Sequence, residues 1–198
     1  MSYNFITDWS RSAKKNADFI LSTHVITPRR TLEVGVFEGR FSLWLVDTYP
    51  SIEEHVGIDS YRGNYEVDDT VMDVVYDRWI QNLSECRYKH KVNFIKQPSQ
   101  AVLRSIQGEF DFIYIDGDHT AAAVLEDLVL SFALIRSGGA ILCDDAVSWK
   151  YTHHSTKIKS DNLALSPRLA VDSFIHCNWD RLNVIDLPAS NQIAFVKK

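Results

Sequence analysis

The chain has 198 residues, with 26 Asp and Glu against 21 Lys and Arg, a formal charge of −5 and 45% hydrophobic residues. This length and apolar content suit a single globular domain, 1–198, and exclude a disordered chain, because burial can offset the entropy of ordering. The acidic surplus argues against a nucleic-acid binder, no apolar run approaches the roughly 18 residues that cross a bilayer, and the start MSYNFITDWSRSAKK lacks the apolar core of a secretory signal.

Residues 8–24 read as a helix, with Asp8 placed to cap its first turn and Trp9, Ala13, Ile20 and Leu21 near one face. TLEVGV (31–36) is a β-rich run ending at Gly35, and a helical stretch through Leu45 and Val46 follows it. HVGID (55–59) reads as a second strand and 69–84 as a helix, with Val71, Val75 and Trp79 at four-residue spacing. VNFI (92–95) is a third strand, and Pro98 stands at the first turn of a short helix. DFIYID (111–116) is a buried-strand run; Leu125, Leu128, Phe132 and Ile135 mark the apolar stripe of the next helix, which Gly138 and Gly139 end. AILCDD (140–145) is another strand, 146–164 is polar and irregular, and a helix over 165–177 precedes the strands RLNVID (181–186) and QIAFV (192–196). Strands alternating with helices predict an α/β three-layer sandwich around a mostly parallel sheet. The last two strands are separated by too few residues for a crossover helix, so they are expected to pair antiparallel.

The three cysteines (Cys86, Cys143, Cys177) are odd in number and far apart, with no CxxC pair. That excludes a zinc ribbon, argues against a disulfide framework and suits a reducing, cytoplasmic setting. The residues that carry chemistry fall at strand ends, where open parallel sheets bind ligands. The first such end reads Glu33-Val-Gly35-Val-Phe-Glu38-Gly39, whose glycines allow a tight turn and close approach to a ligand. Its E-x-G-x-x-x-G spacing is not the G-x-G-x-x-G of dinucleotide binders. Asp59 ends the next strand about 20 residues on, where a carboxylate can accept from both ribose hydroxyls, so a nucleoside-containing cofactor is expected. Strand four ends in Asp116-Gly117-Asp118-His119 and strand five in Cys143-Asp144-Asp145. On neighbouring strands Asp116, Asp144 and Asp145 converge, and three oxygen ligands without a thiolate suit Mg²⁺, Mn²⁺ or Ca²⁺ rather than zinc. Asp118 is read as a helix cap. His119 sits beside the proposed metal, and an imidazole's ordinary pKa of about 6.5 suits proton transfer near neutrality. His153 and His154 lie in a polar stretch and are read as exposed.

LEVGVFEGRFSLWL, VGIDS, FDFIYIDGDHTAAAVLEDL and GGAILCDDA together resemble a class I S-adenosylmethionine-dependent methyltransferase. The nearest likeness is to the metal-dependent family of sugar and macrolide O-methyltransferases, with catechol O-methyltransferase more distant. It spans 30–146 and is strongest at IDGDH and CDDA. The resemblance implies a Rossmann-like seven-stranded sheet of order 3-2-1-4-5-7-6 with the last strand antiparallel, and S-adenosylmethionine with Mg²⁺ (or Mn²⁺ or Ca²⁺) as cofactors. It implies Gly35 and Gly39 along the methionine end of the cofactor, with Glu33 and Phe37 in that turn. Asp59 would bind the ribose, Ser99 would lie near the adenine, and Asp116 would border the cofactor. With Asp144 and Asp145, Asp116 would also ligate the metal, and His119 would be the general base. Relatives commonly carry serine two residues after the second glycine to contact the methionine carboxylate; this chain has Phe41 there, and Ser42 is the expected substitute.

The expected layout is an N-terminal helical segment (1–29), a cofactor and metal core (30–146), and a substrate loop, helix and terminal hairpin (147–198). The expected reaction is metal-assisted O-methylation of a small-molecule hydroxyl (sugar, polyketide or phenolic), with no nucleic-acid or membrane partner. The acceptor is expected under segments 60–69 and 146–164, where Tyr61, Arg62, Trp149 and Tyr151 are candidate contacts. The charged helical insert 69–90 reads as part of a lid or as a homo-oligomer contact. Three alternatives stay open: a metal-independent methyltransferase, a binding module without turnover, and an NAD-dependent oxidoreductase. The last wants a G-x-G-x-x-G loop and a separate substrate domain, and this chain has neither.

Overall fold

The computed structural model describes residues 3–25, 27–63, 67–147, 162–189 and 191–198, together with the backbone of 151–152 and 159–160. Alternating apolar side chains build the centre. In β4 (Phe110–Ile115) Phe112 and Tyr114 point into one core while Ile113 and Ile115 point into the other, all four buried. A strand that feeds both faces reads as a continuous apolar run, the signature of a parallel sheet covered on each side.

The remaining strands are β1 (Arg30–Val34), β2 (Glu54–Asp59), β3 (Val92–Lys96), β5 (Ile135–Cys143), β8 (Leu182–Ile185) and β9 (Ile193–Lys197). They form a seven-stranded sheet ordered β3-β2-β1-β4-β5-β9-β8. β1 through β5 pair in parallel, and β9 runs antiparallel between β5 and β8. Helices α1 (Arg11–Thr23), α2 (Arg40–Thr48) and α3 (Asp69–Glu85) cover one face, through Ala13, Ile20, Leu45 and Trp79. Helices α4 (Ser99–Leu103), α5 (Ala121–Leu134) and α6 (Pro167–Cys177) cover the other, through Leu103, Leu128 and Phe174. This is the Rossmann-like order expected, with the terminal hairpin in place. Among the described residues no helix is long and apolar enough to cross a membrane.

Local expectations fail in instructive places. Asp8 does not cap α1; it pairs with Arg11 at 3.4 Å and Arg40 at 3.6 Å, and Trp9 stands before the helix at 61% exposure. Val71 also faces solvent, so only Val75 and Trp79 of that stripe are core. Ile135 starts β5 rather than closing α5, and Gly138 lies inside the strand, at φ +77°. The register shift between Phe110 and Phe112 absorbs the extra residues, and Arg136 Nε fastens the bend to Asp111 Oδ1 at 2.5 Å. Within the stretch read as irregular, β6 (Tyr151–Thr152) pairs antiparallel with β7 (Lys159–Ser160). Trp149, His153, His154 and the side chain of Tyr151 lie outside the described residues.

Two long-range ties hold the ends of the chain over the active edge. Buried Asn16 donates to Gln192 Oε1 at 2.7 Å and accepts from Ala189 N at 3.0 Å. Glu38, 1% exposed, accepts from Ile6 N through both oxygens at 3.1 Å, and Arg78 Nε lies 3.1 Å from its Oε1, off the line of the N–H bond. Asn82 completes the clasp by accepting from Asn4 N and donating to Asn4 O. Glu38→Ala removes the buried acid beside Arg78 and the acceptor of Ile6 N, so urea denaturation is expected to show a loss of about 3 kcal/mol. A loss below about 1 kcal/mol would show that residues 3–9 hold without this acid.

Candidate active site

Parallel register brings the chemistry to one edge. Val34 stands beside Ile58 and Ile115, and Ile115 beside Cys143, so Gly35, Asp59, Asp116 and Asp144 follow at the same level. They open onto a cavity of about 620 Å³, within the usual range for small-ligand pockets.

At β1 the chain turns tightly. Gly35 has φ +89°, and a Cβ there would stand 1.9 Å from the Asp116 carbonyl oxygen. Gly39, at φ +77°, rests on the Trp79 indole, which a Cβ would meet at 2.0 Å. Phe37 is left-handed as well, at φ +52°, with its ring stacked on Trp9 at 5.2 Å. Asp59 holds this turn: Oδ2 accepts from Val36 N at 2.9 Å and Phe37 N at 3.0 Å, and Oδ1 from Tyr61 N at 2.8 Å. Burial pushes the Asp59 carboxyl up, against the pull of those three amides and of Lys96. Tyr61, expected as an acceptor contact, instead turns inward, because its hydroxyl donates to Phe37 O at 2.5 Å and its ring packs edge-on against Tyr76 and Phe94. Arg62 does line the cavity.

Glu33 lies at the cavity floor, 1% exposed. Burial raises its pKa, offset by His55, whose Nε2 is 3.3 Å away, and by the Ser42 hydroxyl, which donates to Glu33 Oε2. Ser42 is thus fully buried behind the wall; it and Gly39 are the two expected cofactor residues that do not line the cavity, whereas Phe41 does. Arg40, next to Gly39, supplies a positive charge at that end.

Asp116 and Asp144 meet around a residue that sequence reading missed. The Tyr114 hydroxyl lies between Asp116 Oδ2, at 2.8 Å, and Asp144 Oδ2. One proton cannot serve both acceptors fully. Burial raises the pKa of Asp116, with His119 opposing it; burial and then the negative charges of Asp116 and Asp145 raise that of Asp144. His119 Nε2 is 3.4 Å from Asp116 Oδ1, and its Nδ1 is 3.8 Å from Asp145 Oδ2. Asp145, at φ +48°, accepts from the Asn191 amide. The donor set, carboxylate oxygens crowded beyond what hydrogen bonds relieve, fits a hard divalent cation. Among the described residues, however, no three His, Cys, Asp or Glu side chains are already arranged to hold one.

Asp118 accepts from Thr120 N at 2.8 Å, and it is Thr120, not Asp118, that caps α5, through Ala123 N. Ser99 lines the far end of the cavity with Pro98 and Gln100. Tyr114 had a sequence signal, being two residues before Asp116 on a strand and so on the same face. Asn191 had none, since only the folded hairpin brings it to Asp145.

Known proteins resemble this chain in sequence and in fold. A caffeoyl-CoA O-methyltransferase from Populus kitakamiensis is 27% identical over 128 residues, 62% of this chain and 49% of that protein. One from Stellaria longipes is 24% identical over 91% of this chain and 71% of its own length. The chain thus spans about half the length of the first of these relatives. An O-methyltransferase from Bacillus cereus, solved with SAH, superposes with a TM-score of 0.67 at 17% identity, covering 98% of this chain and 84% of that one. The O-methyltransferase TomG from Streptomyces achromogenes, solved with SAM, gives 0.64 at 18% identity, covering 94% and 81%. Residues 32–146 match the family model described as a methyltransferase domain, and with more than half of its length inside that match the chain belongs to the methyltransferase-domain family.

Proposed function

We propose that the chain is an S-adenosylmethionine-dependent O-methyltransferase acting on a small-molecule hydroxyl, with a divalent cation assisting. The observation that carries this reading is the single cavity joining the Gly35–Gly39 turn and Asp59 to the cluster of Asp116, His119, Asp144 and Asp145. The turn and Asp59 would hold the methionine and ribose parts of the cofactor, with Ser99 at the adenine. Arg40, which lines the cavity beside Phe41 and pairs with Asp8 at 3.6 Å, would meet the methionine carboxylate. Asp116, Asp144 and Asp145 would hold the cation, which when bound lowers the pKa of the acceptor hydroxyl. His119, steadied by Asp116 at Nε2, would take the hydroxyl proton at Nδ1. S-adenosylmethionine, when bound, would supply the methyl group to the acceptor oxygen, its sulfur keeping the electron pair of the broken carbon–sulfur bond. Holding the reactants in line can supply roughly 7–11 kcal/mol of the barrier.

A metal-independent reading has its own support in the Tyr114 hydroxyl between Asp116 and Asp144. Calorimetric titration with S-adenosylmethionine and with NADH is expected to show binding of the first alone; binding of NADH alone would overturn the proposal. In a methyl-transfer screen over sugar, catechol and polyketide hydroxyls, turnover is expected to vanish in EDTA and return with Mg²⁺. Full turnover in EDTA would remove the cation and leave the metal-independent reading.

A further inference from the structure

Helix α5 buries Val124, Leu128 and Phe132, and among them an acid, Asp127, at 1% exposure. Its Oδ1 accepts two hydrogen bonds, from Ser99 Oγ at 2.7 Å and from Gln100 Nε2 at 3.3 Å. Both donors stand at the start of α4 and line the cavity together with Gly117 and Asp118. Asp127 Oδ2 lies 3.9 Å from where a Cβ on Gly117 would stand. A carboxylate behind the wall thus orients two side chains of the wall.

The orientation has a chemical sign. A serine hydroxyl has one proton; this one is spent on Asp127, so Ser99 offers the cavity lone pairs. Gln100 turns its amide nitrogen to Asp127, which fixes the orientation of the amide and leaves its carbonyl oxygen and one further N–H. The Ser99 lone pairs and the Gln100 carbonyl oxygen suit a purine that carries an amino group at its 6-position. A 6-oxo purine presents a carbonyl oxygen there, which the Ser99 lone pairs cannot pair. Protonation of Asp127 would reverse the sign, because its own O–H could then donate to Ser99 Oγ and release the serine proton toward the cavity.

Burial pushes the Asp127 carboxyl up to about 7, with Glu126 and Asp118 adding repulsion against the pull of Ser99. These are the charges that bear on it: Glu126 next along α5, itself paired with Arg104 of the α4 end, and Asp118 from the loop after β4. The acceptor form of Ser99 is therefore gained as pH rises through neutrality and lost as it falls.

We propose that Asp127 is a positioning residue that sets Ser99 as a hydrogen-bond acceptor, orients the Gln100 amide, and so makes this end of the cavity select a 6-amino over a 6-oxo purine. The inference rests on the reading of the cavity as an S-adenosylmethionine site. It is tested by calorimetry with S-adenosylhomocysteine and its inosine counterpart, S-inosylhomocysteine, at about pH 6 and about pH 8, either side of the Asp127 ionisation. The two ligands share their homocysteine end, so the ratio of their affinities cancels whatever titrates there. Wild type is expected to prefer the adenosyl form about tenfold or more at the higher pH, and less at the lower. Asp127→Ala lets the Ser99 hydroxyl turn either way, and the preference should fall below about threefold. Asp127→Asn still offers an oxygen but cannot ionise, so it should keep the preference and lose its pH dependence. That variant also carries the test should Asp127→Ala not fold, which thermal melts followed by circular dichroism will show. A full preference in a folded Asp127→Ala, or an unchanged pH dependence in Asp127→Asn, would overturn the inference while leaving the cofactor reading intact. Wild type that binds neither ligand overturns both.

Discussion

Gly35→Ala is expected to weaken S-adenosylhomocysteine binding about a hundredfold and to destabilise the protein by about 3 kcal/mol. The added methyl would meet backbone that has nowhere to go: the Asp116 carbonyl oxygen at 1.9 Å, its carbon at 2.5 Å and the Gly117 Cα at 2.9 Å. That carbonyl belongs to the loop leaving β4, which Asp116 N ties to Val34 O at 2.8 Å. Relief would have to open the β1–β4 edge itself, moving the cofactor turn away from the carboxylates. The φ of +89° adds strain that any side chain would suffer. Calorimetry and thermal melts read the two losses separately. Cofactor affinity within about threefold of wild type would show that this turn does not hold the cofactor.

His119→Gln is expected to lower kcat by about 10²–10⁴-fold, the usual worth of a positioned general base, on whichever hydroxyl the methyl-transfer screen selects. Glutamine keeps a polar group of similar reach near Asp116 but cannot accept and carry a proton. The affinity for S-adenosylhomocysteine should stay within about threefold, which separates loss of proton transfer from collapse of the cavity. A kcat within about threefold of wild type would remove His119 from the proton path.

The strands were legible as short buried runs around Val34, Ile58, Ile115 and Cys143, whereas their order in the sheet came from the family resemblance, since apolar spacing carries no information on which strands are neighbours. What escaped was set by contacts between distant residues. The α5–β5 boundary moved because Gly138 tolerates a positive φ within the strand and Arg136 reaches Asp111, neither of which shows in apolar spacing. Asp8 was read as a cap, but two arginines compete for it. Tyr61 reads like any aromatic in a polar loop until Phe37 O and Asp59 draw it inward. Asp127 could have been noticed as an acid within an apolar helical stripe; its partners, Ser99 and Gln100, lie 28 and 27 residues away and could not.

The Asn16 clasp has a kinetic consequence. It joins residues 173 to 176 positions apart, and the same hairpin turn that it grips delivers Asn191 to Asp145. Contacts of such long sequence separation carry a high loop-closure entropy and are among the last to form. The strands of the sheet pair at much shorter separations, β1 with β4 and β5 with β9. The tie between α1 and the hairpin turn is therefore expected to close after the sheet has formed, as the last fastening of the two chain ends.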